Sequence, residues 1–298
     1  MNHMQRQFIT TTLDLLEEDP RTVLLFAGAG IVDQSSFEDF KYKKPDRIID
    51  LGISEQAAIG FASGLAVAEK IPIFHTQAPF LIERAFEQLK IDFGYQNIGG
   101  NFIGMGGSIE YTFLGPTHHC PADIGVLKLI PNMQIVVPGS VSEFDNLYRN
   151  AYSNNSPTYY RLARNHNKTD QDVKFGKASV VRKGKKATII AVGPMLQLAL
   201  DYFSDEDITI LYYTTLSPFD KDTLIENLVN DRLLLLEPYY SGALLEDIIS
   251  SIGFNDIKIS TIGYPMKFYS KYGLTSEYDT EIGFSGENFM SKLNGLIL

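Results

Sequence analysis

The sequence predicts an α/β protein in two domains, each a mostly parallel sheet flanked by helices. Three observations lead there. Short runs of apolar, β-branched and aromatic residues alternate with longer stretches of helical periodicity, the pattern of βαβ units. The alternation is interrupted once by a polar stretch and then resumes. The chain has 298 residues, 44% of them hydrophobic and 21% charged, an ordinary globular composition at a length that suits two domains of ~100–200 residues.

Strands are expected at 22–27 (TVLLFA), 47–51 (RIIDL), 71–75 (IPIFH), 101–105, 133–138 (MQIVVP) and 158–163 (TYYRLA). Each is a β-rich run of roughly four to eight residues, the length of a buried strand. Helices are expected between them at 54–69, 81–95, 121–129 and 141–153. Right-handed crossovers place such helices on both faces of the sheet. Residues 165–186 are polar and hold seven Lys or Arg. They read as a linker merging into an edge strand. Beyond it come strands at 187–192, 208–213, 232–237 and 257–262, with helices at 195–203, 221–229 and 242–251. Residues 269–298, with several glycines and a weak pattern, receive no assignment. The expected organisation is a first domain over 1–165, a connecting segment over 166–186 and a second domain over 187–298.

Charge and composition exclude several functions. Acidic residues outnumber basic ones by 36 to 26, a formal charge of −10, so nucleic acid is not an expected partner. No apolar run reaches the ~20 residues of a membrane-spanning helix, and no membrane partner is expected. The first residues lack the apolar core of a secretory signal, so the cytoplasm is the expected location. A single cysteine, Cys120, excludes an internal disulfide and leaves no cysteine-rich metal site.

Three clusters are candidates for chemistry. In 51–56 (LGISEQ) a strand ends, Gly52 permits a tight turn, and Ser54 is placed to cap a helix beginning at Glu55. Small residues recur along that helix (Ala57, Ala58, Gly60, Ala62, Ser63, Gly64 and Ala66), which suits close approach by another backbone or a flat ligand. Taken alone, Glu55 is equally a first-turn acid that complements the helix dipole.

In 80–88 (FLIERAFEQ), Phe80 stands just before a helix, at the carboxyl edge of the sheet. Ligands bind there in open α/β sheets. Phe86 reads as core, and Phe80 is open between core and ligand. In 115–121 (GPTHHCP), a glycine and two prolines fix a loop that presents His118 and His119. Adjacent histidines point apart and no Cys or carboxylate stands at ligand spacing, which argues against zinc. An acid/base or hydrogen-bonding histidine fits better; a loop histidine without a role is the other reading. The glycine-rich stretches 27–30 and 104–107 match neither dinucleotide nor Walker patterns.

Taken in order, Gly52-Ile53-Ser54-Glu55-Gln56, the segment 80–88, Gly115-Pro116-Thr117-His118, Ile130-Pro131-Asn132-Met133 and Val137-Pro138-Gly139 resemble the pyrimidine-binding domain of transketolases and of 1-deoxyxylulose-5-phosphate synthase. Ala191-Val192-Gly193, Leu216-Ser217-Pro218-Phe219-Asp220 and Leu236-Glu237-Pro238 are similar to that family's C-terminal domain. The resemblance covers roughly residues 9–273. The Gly-Asp-Gly…Asn motif of the family's diphosphate-binding domain is missing. The chain therefore resembles the second subunit of a split transketolase, whose separate N-terminal subunit would supply the diphosphate and Mg2+ sites.

The resemblance implies thiamine diphosphate as cofactor. By it, Glu55 is the carboxyl group facing pyrimidine nitrogen N1′, with its proton affinity raised by burial between subunits. Phe80 stacks on the pyrimidine, and His118 hydrogen-bonds the donor's oxygen and steadies the charge developing there. Arg164 matches an arginine that binds the substrate's phosphate. Ile31 and Gln77 fall at cofactor-lining positions and Gly106 at a substrate-binding one, each with an altered residue type. Gln77 stands where an aromatic is usual, Gly106 where a histidine is usual, and Ala29-Gly30-Ile31 lacks the family's acid. Leu114 replaces an acid directly before Gly-Pro-Thr-His. Coenzyme activation is thus expected with altered sugar-phosphate recognition. The expected reaction is transfer of a two-carbon unit, ketol or acyl, to a sugar or aldehyde acceptor, with a ketose or a 2-oxo acid as donor. The expected assembly has two copies of each subunit related by a two-fold axis. The alternatives are the β subunit of a 2-oxo-acid dehydrogenase's decarboxylase, or a non-catalytic scaffold subunit.

Overall fold

A computed structural model describes residues 3–28, 37–164, 166–253 and 256–298. The first sheet has seven strands: β1 (Thr22–Phe26), β2 (Ile48–Asp50), β3 (Ile71–Gln77), β4 (Gly100–Met105), β5 (Gln134–Val136), β6 (Pro157–Leu162) and, from far along the chain, β10 (Thr215–Ser217). Their order is β10-β5-β6-β4-β3-β1-β2, and every pairing is parallel except β10 with β5. The second sheet has five: β7 (Ser179–Arg182), β8 (Thr188–Val192), β9 (Thr209–Tyr213), β11 (Arg232–Tyr240) and β12 (Lys258–Tyr264). Its order is β12-β11-β8-β9-β7, with only β7 antiparallel. The fold is α/β with two parallel-dominated sheets, as the alternation predicts.

Strand residues alternate between faces, and the buried clusters follow that period. Leu24 and Phe26 share one cluster with Met4, Phe8, Leu15 and Leu16 of helix α1 (His3–Glu18) and with Phe144 and Leu147 of a later helix, 141–151. Val23 and Leu25 share the other with Ala58, Ile59 and Ala62 of the helix following β2. In the second sheet Ile189 and Ala191 face one cluster while Ile190 and Val192 face the other. Both faces of both sheets are therefore dry, as parallel strands require.

Several elements differ from the sequence reading. No element is read before residue 22, yet α1 spans that stretch. A short helix α2 (Glu38–Lys43) precedes β2, and α3 (Glu55–Val67) follows it. The single helix expected at 81–95 is three pieces: α4 (Ala78–Ile82), α5 (Phe86–Gln88) and a wider π-helical stretch at Leu89–Tyr95. Pro79 sits in the first turn of α4, where its fixed φ and missing N–H cost nothing. Phe80 therefore lies inside a helix rather than before one. Further on come α6 (Asp123–Leu127), α7 (Val141–Ala151), α8 (Met195–Tyr202), α9 (Lys221–Asn227) and α10 (Leu245–Ile252). The unassigned stretch 269–298 holds α11 (Asp279–Ile282) and α12 (Gly286–Ile297). Phe289 and Leu293 of α12 are buried against the second sheet's cluster.

Candidate active site

The candidate residues leave the carboxyl ends of neighbouring parallel strands. In register, Gln77 ends β3 beside Met105 at the end of β4, and Met105 pairs with Leu162 at the end of β6. Glu55 follows β2, Phe80 follows β3, Gly106 and His118 follow β4, and Arg164 follows β6. One sheet edge thus collects residues from distant parts of the sequence.

The turn from β2 into α3 sets Glu55. Gly52 has φ +71°, open to glycine without strain, and the Asp50 carboxylate accepts the Gly28 and Gly52 amides at 3.0 Å each. Ser54 does not cap α3 as the sequence suggests. Its backbone (φ −156°, ψ 60°) directs the hydroxyl back to the Leu51 carbonyl at 3.0 Å. Glu55, the first residue of α3, is only 2% exposed. A carboxylate that deep needs a partner. Arg84, in the break between α4 and α5, provides it: Nη1 donates to Oε2 at 2.7 Å.

Arg84 also reaches a second candidate. Its guanidinium carbon lies 4.2 Å from the Phe80 ring centroid, a cation–π contact. The Phe80 ring in turn meets His118 edge-on, with centroids 5.3 Å apart at 70°. His118 ends a 3-10 turn (Pro116–His118), and its Nδ1 lies 2.9 Å from the Thr117 hydroxyl. Glu55, Phe80 and His118 are thus brought together, with Arg84 joining the first two. The sequence reading passes over Arg84 because its partner stands on another element, and only folding brings them together.

The other candidates stand apart from this group. Gln77 is buried, and its Oε1 has no partner among the described residues. Ile31 lies outside the described residues. Gly106 has φ +74°, and a Cβ there would run into the Tyr111 ring. Glycine is required because Tyr111 fills the space a side chain at 106 would take. Arg164 is exposed; its amide donates to Glu110 Oε1 at 2.8 Å and its Nη1 to the Glu110 carbonyl at 3.2 Å. It lines a cleft of about 430 Å³ with Glu110, Arg161 and Tyr264, not the Glu55 group.

Burial governs the electrostatics around that edge. Glu110 is only partly buried as a residue, but its carboxyl is enclosed, which pushes it up to about 7. Burial lowers His119, and its neighbour His118 adds to that. Glu83 is raised by burial and receives the Cys120 thiol at 3.7 Å. Beneath the loop, Arg161 Nε donates to Asp123 Oδ2 at 2.7 Å, both fully buried, and Arg161 Nη2 donates to the Ser108 hydroxyl and the Pro238 carbonyl. Among the described residues no group of three or more His, Cys, Asp or Glu is placed to hold a metal ion.

Chemically, the group offers a buried carboxylate, an aromatic ring and an imidazole at one open edge. The Arg84 guanidinium already lies over Phe80 while donating an N–H to Glu55. A flat, nitrogen-bearing heterocycle presents the same two features. The donor set therefore fits an aminopyrimidine.

Comparison with known proteins agrees. A family model described as the transketolase pyrimidine-binding domain matches residues 5–169. An uncharacterized 33.6 kDa protein in the fasciation locus of Rhodococcoides fascians is 30% identical, over 99% of this chain and 96% of its own length. An apulose-4-phosphate transketolase subunit of Actinobacillus succinogenes is 30% identical, over 70% of this chain and 72% of its own. Among solved structures, a split-gene transketolase described as an inactive β4 tetramer superposes with a TM-score of 0.83 at 22% identity, covering 99% of this chain and 97% of that one.

Proposed function

The chain belongs to the transketolase family, carrying its pyrimidine-binding domain over residues 5–169, and from that premise we propose that it is one subunit of a split, thiamine-diphosphate-dependent transferase. It moves a two-carbon unit, ketol or acyl, to a sugar or aldehyde acceptor. A separate N-terminal subunit holds the coenzyme's diphosphate and most of the Mg2+ ligation, in a cytoplasmic assembly with two copies of each chain. A relative of similar span, itself named as one subunit of a transketolase, supports that division. Within the chain, residues 1–165 form the pyrimidine-binding domain, 166–186 connect, and 187–298 form the C-terminal domain.

Thiamine diphosphate, when bound, supplies a carbon nucleophile at its thiazolium. The roles of this chain's residues follow from their positions. Glu55 holds a proton against N1′ from a buried site at a helix start, where water does not compete. Phe80 gives the pyrimidine a flat apolar face and fixes its orientation. His118, at the rim of the Phe80 ring, donates a hydrogen bond to the donor substrate's oxygen and steadies charge there. Arg164, exposed at the neighbouring cleft, binds an anionic group of the substrate. Gln77 and Ile31 line the coenzyme, and Gly106 borders the substrate path, where the Tyr111 ring takes the place of a side chain at 106. That substitution supports an acceptor or donor other than the usual pentose phosphates.

The observation that carries this reading is the convergence of Glu55, Phe80 and His118 through contacts of 2.7, 4.2 and 5.3 Å. The test is Glu55→Gln, which keeps shape and removes the proton-holding group. Reconstituted with the partner subunit, this variant is expected to lose turnover by about 100-fold or more, with the same assembly by sedimentation. Unchanged turnover would assign the chain a scaffold role.

A further inference from the structure

We infer that Arg84 is a positioning residue for the proposed coenzyme ring, its one guanidinium fixing the Glu55 carboxylate relative to the face of Phe80. This rests on the reading of Glu55 and Phe80 just given.

The geometry is specific to a planar cation. Nη1 lies 2.7 Å from Glu55 Oε2 while the guanidinium carbon sits 4.2 Å from the Phe80 centroid. A carboxylate hydrogen bond and a cation–π contact made by one rigid fork tie the two groups to a single plane. Lysine would keep the charge but not the plane. Among the described residues no other charged group has that reach. Of the elements packed against α3, β3 brings His75, which points to the Ile103 carbonyl at 2.9 Å. The α5 turn brings Glu87, and the stretch Leu89–Tyr95 brings Lys90 and Asp92. Lys90 lies over Phe86, and Asp92 stands opposite Gly60, more than a turn along α3 from Glu55. Asp50 is held by two backbone amides. Arg84 also stands where a rigid helix would not put it: the break between α4 and α5 turns it back over Phe80.

The Arg84 side chain is 41% exposed, so truncation leaves a site that solutes can enter. The test uses the complex reconstituted with the partner subunit, thiamine diphosphate and Mg2+. In Arg84→Ala, calorimetry should read coenzyme binding weakened by about 10-fold or more, with turnover lowered as well. Added guanidinium ion should restore part of both, and ammonium ion neither. Arg84→Lys should resemble the alanine variant. Coenzyme affinity equal to or tighter than wild type in Arg84→Ala, or full recovery in Arg84→Lys, would overturn the inference. Glu55→Gln in the same assay separates the two levels. If it loses turnover while the Arg84 variants lose nothing, only the inference fails; if it keeps turnover, the underlying reading fails.

Discussion

Gly106 gives the clearest case of a residue whose identity is dictated by a neighbour. Its φ of +74° and the Tyr111 ring against its α-carbon both exclude a side chain. Replacing it by alanine adds left-handed strain and overlap with a ring that is itself held in place. Gly106→Ala should therefore lower unfolding stability by ~2–4 kcal/mol in urea denaturation. Removing the ring as well, in Gly106→Ala/Tyr111→Ala, should recover the overlap component but not the strain, so the two changes will be non-additive. At this scale the site is half legible. Glu55, Phe80 and His118 stand in recognisable local patterns, and they meet. Tyr111 and Arg84 do not announce themselves, because what they do depends on partners that the fold, not the sequence order, supplies.

Elements were legible where local signals agreed with packing. The apolar runs of β1, β3, β4, β6, β8, β9 and β11 are found as strands because burial on both faces demands such runs. Helix α1 escapes the reading because three consecutive threonines, Thr10 to Thr12, interrupt its apolar spacing; Thr11 and Thr12 are buried polar residues satisfied by Asp145 and Tyr148. The stretch 81–95 reads as one helix because its propensity is continuous, and only the tertiary structure breaks it.

The turn from β11 into α10 carries a prediction of its own. Glu237 is fully buried, and its carboxylate accepts the Gly242 and Leu244 amides. Burial nevertheless dominates and pushes it up from the ordinary 4.5 to about 7. A carboxyl raised on folding stabilises fully below its unfolded value and loses that contribution as pH rises through its folded one. The stability difference between wild type and Glu237→Gln should thus shift against wild type between pH 4.5 and about 7, as read from urea midpoints at each pH.

At the scale of the whole molecule, the two sheets are held by a buried ion pair. Arg161 of β6 and Asp123 of α6 neutralise each other, and Arg161 continues to the Pro238 carbonyl on β11. Tyr159 adds its hydroxyl to the same Asp123 oxygen at 3.2 Å. Removing one charge leaves the other stranded. Arg161→Met should cost ~3–5 kcal/mol, and Arg161→Met/Asp123→Asn distinctly less, because breaking a buried pair is worse than deleting it. Equal losses in chemical denaturation would show that the pair acts through packing alone.

Strand β10 has a consequence for how the chain can be divided. It is three residues, too short to read from sequence, and it comes from beyond the second sheet's first three strands to lie along β5. With it the first sheet is finished on that flank. A protein cut after residue 165 would keep every helix and strand numbered before the cut and still present a raw, unsatisfied border of amides and carbonyls, ready to recruit another molecule's backbone. The two halves are separate in pattern but not severable in practice, because the later one stitches the hem of the earlier.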